Sequence, residues 1–414
     1  MPSNDCFMKL LLNIPIGLFL FLSVATKSQD TLTVMTYNVL NYPSSNTSKA
    51  DTLKPIVKHV QPDIFLINEL ESSAGATTIL TDALNIDGVT NYLRATFFSG
   101  PDTNNMLYFN SDKLVLYSQK EIPTALRNIS EYVLYYKAPN MTASSDTVFI
   151  FCYSAHLKAS TGATNEQKRN QEATVFKNYL ASRANLENVI LGGDFNLYTS
   201  AEPAYNTILN GGSVALLDPI SSPGSWNNNS SFASIHTQST RSSSIGDGGA
   251  SGGMDDRFDF IFFNDQLQTG AQGLTYVPGS YTAIGNDGNH FNQSINSGTN
   301  NAAPSNVIDA LYYMSDHLPV VLKVSIPVNV GTEEFEVKNN WKGYFSKNQF
   351  NFSSNKTEEE LTVLVYDVLG KVVQLNKINN TKTINLKLKP LNQGVYFVKV
   401  VSETKQETFK VFKQ

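Results

Sequence analysis

Between Thr31 and Val324, short apolar runs repeatedly break off on a residue that can bind a metal or a phosphate. TVMTYN ends on Asn38, DIFLINE on Glu69, FCYSAH on His156, and ILGGDFN on Asp194 and Asn196. DRFDF carries Asp259, and SDH places Asp316 and His317 directly before LPVVL. One such ending is a turn former. Six strand ends making the same choice of acids, amides and imidazoles need a common reason. In a layered sheet protein the ends of different strands meet at one edge, where loops build a site.

The runs TLTVMTY, DIFLINE, NMLYFN, VFIFCYSAHL, NVILGG, FDFIFF and LPVVLKV read as strands. Helical patterns lie between them. Thr164 and Gln167 have capping-box spacing, and Ala173, Phe176, Tyr179, Leu180 and Ala184 recur at helical spacing. A layered α/β unit follows. Gly192 and Gly193 predict a tight turn that aims Asp194 and Asn196 into the site with Phe195 packed behind. Ile220–Gly253 and Gly279–Ser305, rich in Ser, Asn and Gly, are expected to be surface loops around it. Beyond IPVNVGTEEFE the character changes. ELTVLVYDVLGKVVQ, KTINLKL, GVYFVKVVS and QETFKVFKQ are strands without helical spacing, which predicts a small all-β sandwich. It holds no cluster of Asp, Glu and His, so the chemistry belongs to the first unit.

A chain of 414 residues, 41% hydrophobic, is long enough for two folded units with real cores. The net charge of -5 excludes a strongly basic surface that grips nucleic acid by charge alone. A nuclease stays open, because a bound cation can supply local positive charge. Lys9 followed by LLLNIPIGLFLFLSVA reads as a secretory signal over residues 1–28, with 1–7 as an upstream extension. The run is too short for a membrane span, so none is expected in the mature chain. Cys6 leaves with the signal. Cys152 is then the only cysteine, unable to form an intramolecular disulfide and expected in a buried strand rather than as a nucleophile. His59 and His290 are expected at the surface. Hard oxygen ligands such as Glu69 and Asp316, with no thiol and no His-x-x-x-His spacing, suit Mg²⁺ or Mn²⁺ rather than structural zinc. With two imidazoles beside them they form a kit for attack of water on a phosphate ester.

The ordered set TYNVLN, INELE, SAHL, GGDFN, RFDFIFF and SDHLPV resembles the endonuclease/exonuclease/phosphatase family, the DNase I-like phosphoesterases. The resemblance implies an α/β fold over residues 29–328, a four-layered sandwich of two mixed β-sheets flanked by helices. A linker at 329–335 and the β-sandwich at 336–414 would follow. It implies Glu69 as principal metal ligand with Asn38 and Asp316 beside the metal, which is Mg²⁺ or Mn²⁺, with Ca²⁺ a further option. Asp194 resembles the aspartate that orients or deprotonates the attacking water, and Asn196 the amide that holds the phosphate. His156 resembles the histidine on the phosphoryl oxygens or leaving group, and Asp259 the partner of His317, a second candidate base. Asn68 stands where the family often has Gln, no Lys follows Glu69 in ELESSAG, and Leu197 and Tyr198 replace the basic residue of the inositol phosphatases. For the family's mid-domain phosphate contact, Asn105 and Tyr108 are candidates. IHTQSTR adds His236, Gln238 and Arg241 as substrate contacts.

VYDVLGKVV, LNQGVYFVKV and TFKVFKQ resemble the type A sorting domain of the type IX secretion system of Bacteroidetes. That implies the secretion machinery as partner and a secreted or cell-surface location. The expectation is a secreted, monomeric, metal-dependent phosphodiesterase, foremost an endonuclease of extracellular DNA or RNA. A sphingomyelinase-like or small-molecule phosphoesterase is the alternative, and a catalytically silent surface-binding protein is the rival from another class.

Overall fold

The computed structural model describes residues 29–43, 49–137, 147–184, 186–327, 341–346, 349–388, 393–402 and 406–413. The secretory segment and the linker lie outside them. Contacts divide the chain into two units, Met1–Val330 and Gly331–Gln414.

The strands of the first unit are β1 (Gln29–Tyr42), β2 (Ile64–Leu70), β3 (Tyr92–Arg94), β4 (Asn104–Asn110), β5 (Leu114–Ile122), β6 (Ile129–Tyr136) and β7 (Phe149–His156). They continue as β8 (Val189–Asp194), β9 (Leu216–Leu217), β10 (Asp259–Asn264), β11 (Thr275–Tyr276), β12 (Thr282–Ala283) and β13 (Val320–Pro327). The main helices are α1 (Lys49–Val60), α2 (Ser73–Thr78), α3 (Ala163–Ser182), α4 (Pro203–Asn210), α5 (Asp265–Thr269) and α6 (Ser305–Met314). One sheet runs β11-β13-β1-β2-β4-β3, with β12 also on β13, and the other runs β5-β6-β7-β8-β10-β9. Both are mixed: β1 pairs β2 in parallel and β13 antiparallel, and β8 pairs β7 in parallel and β10 antiparallel.

Strand alternation explains the layers. Side chains on a strand point alternately to opposite faces. Ile150, Cys152, Ile190, Ile261 and Phe263 therefore join the core shared with β1 and β2. Phe151, Tyr153, Val189, Leu191, Phe260 and Phe262 meet α3 and α4 on the other face, through Phe176, Leu180, Ala204 and Ile208. Cys152 is buried in this core, where loss of water pushes its thiol far up and keeps it inert. Helix α3 begins at Ala163 behind Gly162, without a side-chain cap. The expected Thr164 capping box is not formed, and Ala184 lies beyond the helix end.

The two glycines of β8 have separate reasons. A Cβ on Gly192 would press on Thr36 and Leu66 of the facing sheet, at 3.2 and 3.3 Å. Gly193, at φ +149, passes so close to β7 that a Cβ would sit 1.8 Å from the Ala155 carbonyl oxygen. Close approach, rather than a tight turn, demands both. Phe195 packs edge-on against Phe260 and Phe262 behind the site, as expected.

The second unit is all β. Strands β14 (Lys342–Ser346), β15 (Gln349–Tyr366), β16 (Val372–Lys387), β17 (Gly394–Val401) and β18 (Gln406–Lys413) form one hydrogen-bonded network. The β15–β16 register shifts between Ser353 and Glu358. Such a bulge bends a strand pair. The two halves share one core that includes Trp341, Phe350, Phe352, Val363, Val365 and Val398.

Candidate active site

The site forms where β1, β2, β7 and β8 end together. After Asn38 the β1–β2 register slips, and Leu40 and Asn41 take left-handed backbone, φ +50 and +44. Asn38 Oδ1 accepts the Leu40 N–H at 2.9 Å, which sets the bend. The bend turns the Asn41 N–H onto Glu69 Oε2 at 3.0 Å. Glu69 itself is left-handed, φ +62. Each such residue costs about 1–2 kcal/mol, while a hydrogen bond to a charged carboxylate contributes about 1.5–3 kcal/mol. The two hydrogen bonds to Glu69, from the Asn41 N–H and from Asn38 Nδ2, therefore offset strain of the same order at the three left-handed residues.

Because the Asn38 oxygen is taken by a backbone N–H, its amide nitrogen must face the acids. Nδ2 donates to Glu69 Oε1 at 2.9 Å and to Asp194 Oδ2 at 3.1 Å. Asn38 thus spaces two carboxylates and stands beside Glu69, the expected metal ligand, with its own oxygen occupied by the Leu40 N–H. Asn68, the family's usual Gln, donates to Asn105 Oδ1, Ser154 Oγ and the Ala155 carbonyl. It ties the two sheets together beneath the site.

Asp194 is the hub. Its Oδ1 accepts the Asn196 N–H at 3.0 Å, and its Oδ2 lies 3.5 Å from His156 Nε2 and 3.6 Å from His317 Nε2. Asn196, at φ +51, points its own amide at the Leu157 carbonyl, 3.3 Å away. Burial pushes Asp194 up to about 7; His317 opposes the rise, and Asp259 and Glu69 add to it. Burial also raises Glu69, with Asp316 adding repulsion.

The imidazoles differ. Burial, and then the charges of Arg127, His317 and Lys158, hold His156 well below its usual range. Burial would lower His317 too, but Asp259, Asp194 and Asp316 reverse that and hold it well above. Asp259 Oδ2 lies 2.8 Å from His317 Nδ1. The Gln238 amide nitrogen is 3.1 Å from Asp316 Oδ2 and 2.6 Å from His317 Nε2, an arrangement that suits a neutral ring. Three carboxylates outweigh one amide, whose ends exchange readily. We take His317 as protonated, with Gln238 Oε1 turned to accept from it at the cost of the Gln238–Asp316 hydrogen bond. Asp316 keeps the Ala250 N–H at 2.8 Å in either case.

Four expected substrate contacts are engaged elsewhere. Asn105 donates to Asn128, Ser130 and Ser154. Tyr108 is buried, with its hydroxyl on the Ala76 carbonyl at 2.8 Å. His236 bridges the Trp226 and Met254 carbonyls, and Arg241 is buried on Asp247 and the Tyr312 carbonyl. His59 is exposed as expected. His290 is not: it is buried between Asp287 and the Ser297 carbonyl. Arg127, which precedes β6, lacked any sequence argument. Its Nη1 donates to the Leu157 carbonyl at 3.3 Å and its Nε faces Asp102 at 3.0 Å, beside His156.

Among the described residues, two groups have ligand atoms close enough to share an ion, Glu69 with His156 and Asp194, and Asp194 with Asp259 and His317. Asp316 belongs to neither. Buried carboxylates that raise one another's proton affinity are the complement of a divalent cation.

Residues 35–317 match the Endonuclease/Exonuclease/phosphatase family, and the chain belongs to it. Residues 346–414 match the Secretion system C-terminal sorting domain. No curated protein matches the chain. The chain is similar to several solved structures. TDP2 from D. rerio, in complex with a single strand DNA product, is 16% identical, covering 71% of this chain and 98% of its own, with TM-score 0.48. An endonuclease/exonuclease/phosphatase family protein from Bacteroides thetaiotaomicron is 14% identical, covering 73% and 97%, with TM-score 0.44. The human Nocturnin catalytic domain with bound sulfate is 17% identical, covering 72% and 97%, with TM-score 0.42.

Proposed function

We propose that the chain is an exported, divalent-metal-dependent phosphodiesterase, with extracellular nucleic acid as the first substrate to test. The observation that carries this reading is one oxygen, Asp194 Oδ2, set between two imidazoles at 3.5 and 3.6 Å, with Glu69 and Asp259 on the flanks. Glu69 would hold the cation, with Asp194 and His156 in reach. Bound there, a cation polarises the phosphoryl group and stabilises developing negative charge.

The chain's own residues do the rest. Asp194, near neutrality rather than strongly acidic, aims the water and takes its proton. Asn38 and the Asn196 N–H fix that carboxylate. His317, kept protonated by Asp259, offers an N–H and a positive charge to the phosphoryl oxygens. His156, kept neutral, presents Nε2 to the same space. Arg127 and Lys158 supply cationic contacts for the ester's chain on the His156 side.

The test is hydrolysis of bis(p-nitrophenyl) phosphate and nicking of supercoiled plasmid by the full chain with Mg²⁺ or Mn²⁺. Turnover of the small diester without nicking would favour a small phosphoester substrate, and release of phosphocholine would favour a sphingomyelinase-like one. No turnover with Mg²⁺, Mn²⁺ or Ca²⁺ contradicts the reading.

A further inference from the structure

Beside His317, the loop segments that follow β9 and precede β10 form a short three-stranded ladder. Gln238 is the antiparallel bridge partner of both Asp256 and His317. Directly opposed residues put their side chains on the same face, with Cβ atoms about 5 Å apart. Gln238 reaches His317 Nε2, so this face is the site's face, and Asp256 shares it. Asp256 is 8% exposed, and its Oδ1 accepts from Asn227 Nδ2 at 2.9 Å. The neighbouring cation cannot neutralise it, because Arg257 is buried in a two-pronged pair with Asp218, 2.8 Å on each prong. Asp255 and His317 are the charged groups that bear on Asp256.

An aromatic wall completes the place. The Phe258 ring lies 6.4 Å from the His317 ring, and the half-buried Tyr198 ring packs edge-on against Phe258 at 4.8 Å. Tyr198 is two residues after Asn196, and its carbonyl receives the Trp226 and Asn227 N–H groups at 3.0 and 3.2 Å. An aromatic face, a carboxylate and two carboxamides thus stand beside the imidazolium.

We infer that Asp256, Asn227, Gln238 and Tyr198 form a subsite for a hydroxyl-rich group, a sugar or polyol, carried on the His317 side of the reacting phosphate. The inference rests on the phosphoesterase reading and narrows its substrate. Hydroxyls donate to the carboxylate and exchange hydrogen bonds with the amides, and the C–H face of a sugar ring lies on an aromatic ring. A further phosphate placed there would meet the Asp255 and Asp256 carboxyl groups, which burial already makes reluctant to ionise, so a polyanion extending past His317 is disfavoured. The opposite, His156 side carries Arg127 and Lys158 instead. A quaternary ammonium group fits less well, because its usual cage is built from several rings and here only Tyr198 is accessible.

The experiment compares glucose 6-phosphate with methyl phosphate as inhibitors of bis(p-nitrophenyl) phosphate hydrolysis by the full chain. Both bring a phosphate, and only one brings hydroxyls. Glucose 6-phosphate is expected to bind about tenfold more tightly, the worth of a hydrogen bond to a charged group. Asp256→Ala, and separately the exposed Asn227→Ala, should shrink that ratio towards one, a readout that does not depend on the absolute rate. A ratio near one in the unaltered chain, a ratio untouched by both substitutions, or tighter inhibition by phosphocholine than by glucose 6-phosphate would overturn the inference. If the chain does not hydrolyse the diester, the phosphoesterase reading falls. The two phosphates are then compared by thermal shift in the presence of Mn²⁺, where equal shifts overturn the subsite as well.

Discussion

His156 and His317 stand at similar distances from the same oxygen of Asp194, both are buried, and yet the surroundings push one ring well below its usual range and the other well above. The shared carboxylate helps to raise His317, after Asp259, but does not by itself separate the two rings. The far side of each ring does. Among the described residues His156 Nδ1 finds no hydrogen-bond partner, and the nearby charges on its side are Arg127 and Lys158. His317 Nδ1 meets Asp259 at 2.8 Å. Two imidazoles with one near neighbour in common are specialised by what lies behind them.

The most damaging change is to the shared group. Asp194→Ala should lower kcat by about 10³-fold or more in steady-state assays of diester hydrolysis, the usual scale of a lost proton-transfer residue with its positioning role. Chelation should bring the rate to a similar floor, restored by added Mg²⁺ or Mn²⁺. Next comes the group that separates the two rings. Asp259→Asn makes the surroundings of His317 resemble those of His156 and should cost about 10²-fold in kcat. A loss equal to that of Asp194→Ala would mean that Asp259 acts on the water itself.

Glutamine tests the comparison more finely, because its amide replaces a neutral imidazole donor and cannot carry a charge. His156→Gln should retain about tenfold more kcat than His317→Gln. Equal losses would remove the charge difference from the account. The smallest effect belongs to Arg127→Ala, expected to raise KM about tenfold with kcat little changed, since it grips the ester rather than the reacting atoms.

Asp194, Asn196, Asp259 and His317 were legible as candidates in the sequence because each borders a strand terminus: β8 ends on Asp194, β10 opens on Asp259 and His317 lies just before β13. The layers were legible from the apolar runs of β1, β2, β8 and β10. What the sequence hid is non-local. Asn38 spaces two carboxylates that lie 31 and 156 residues away along the chain, Glu69 and Asp194. Gln238 reaches His317 through a bridge between segments 79 residues apart. Arg127 lies in the loop between β5 and β6, and β5, LVLYSQKEI, is too polar to stand out as a buried run. Tyr108, His236 and Arg241 are polar groups satisfied inside the fold, and their types alone cannot distinguish that from a binding role.

The most direct measurement is the metal-supplemented rate of bis(p-nitrophenyl) phosphate hydrolysis by the full chain, set beside that of Asp194→Asn at equal folded concentration. Asp194→Asn keeps the shape of the hub and removes its charge. The account predicts turnover that requires Mg²⁺ or Mn²⁺ and falls by about 10²–10⁴-fold in the variant. Equal rates in the two proteins, or turnover unaffected by chelation, would contradict it.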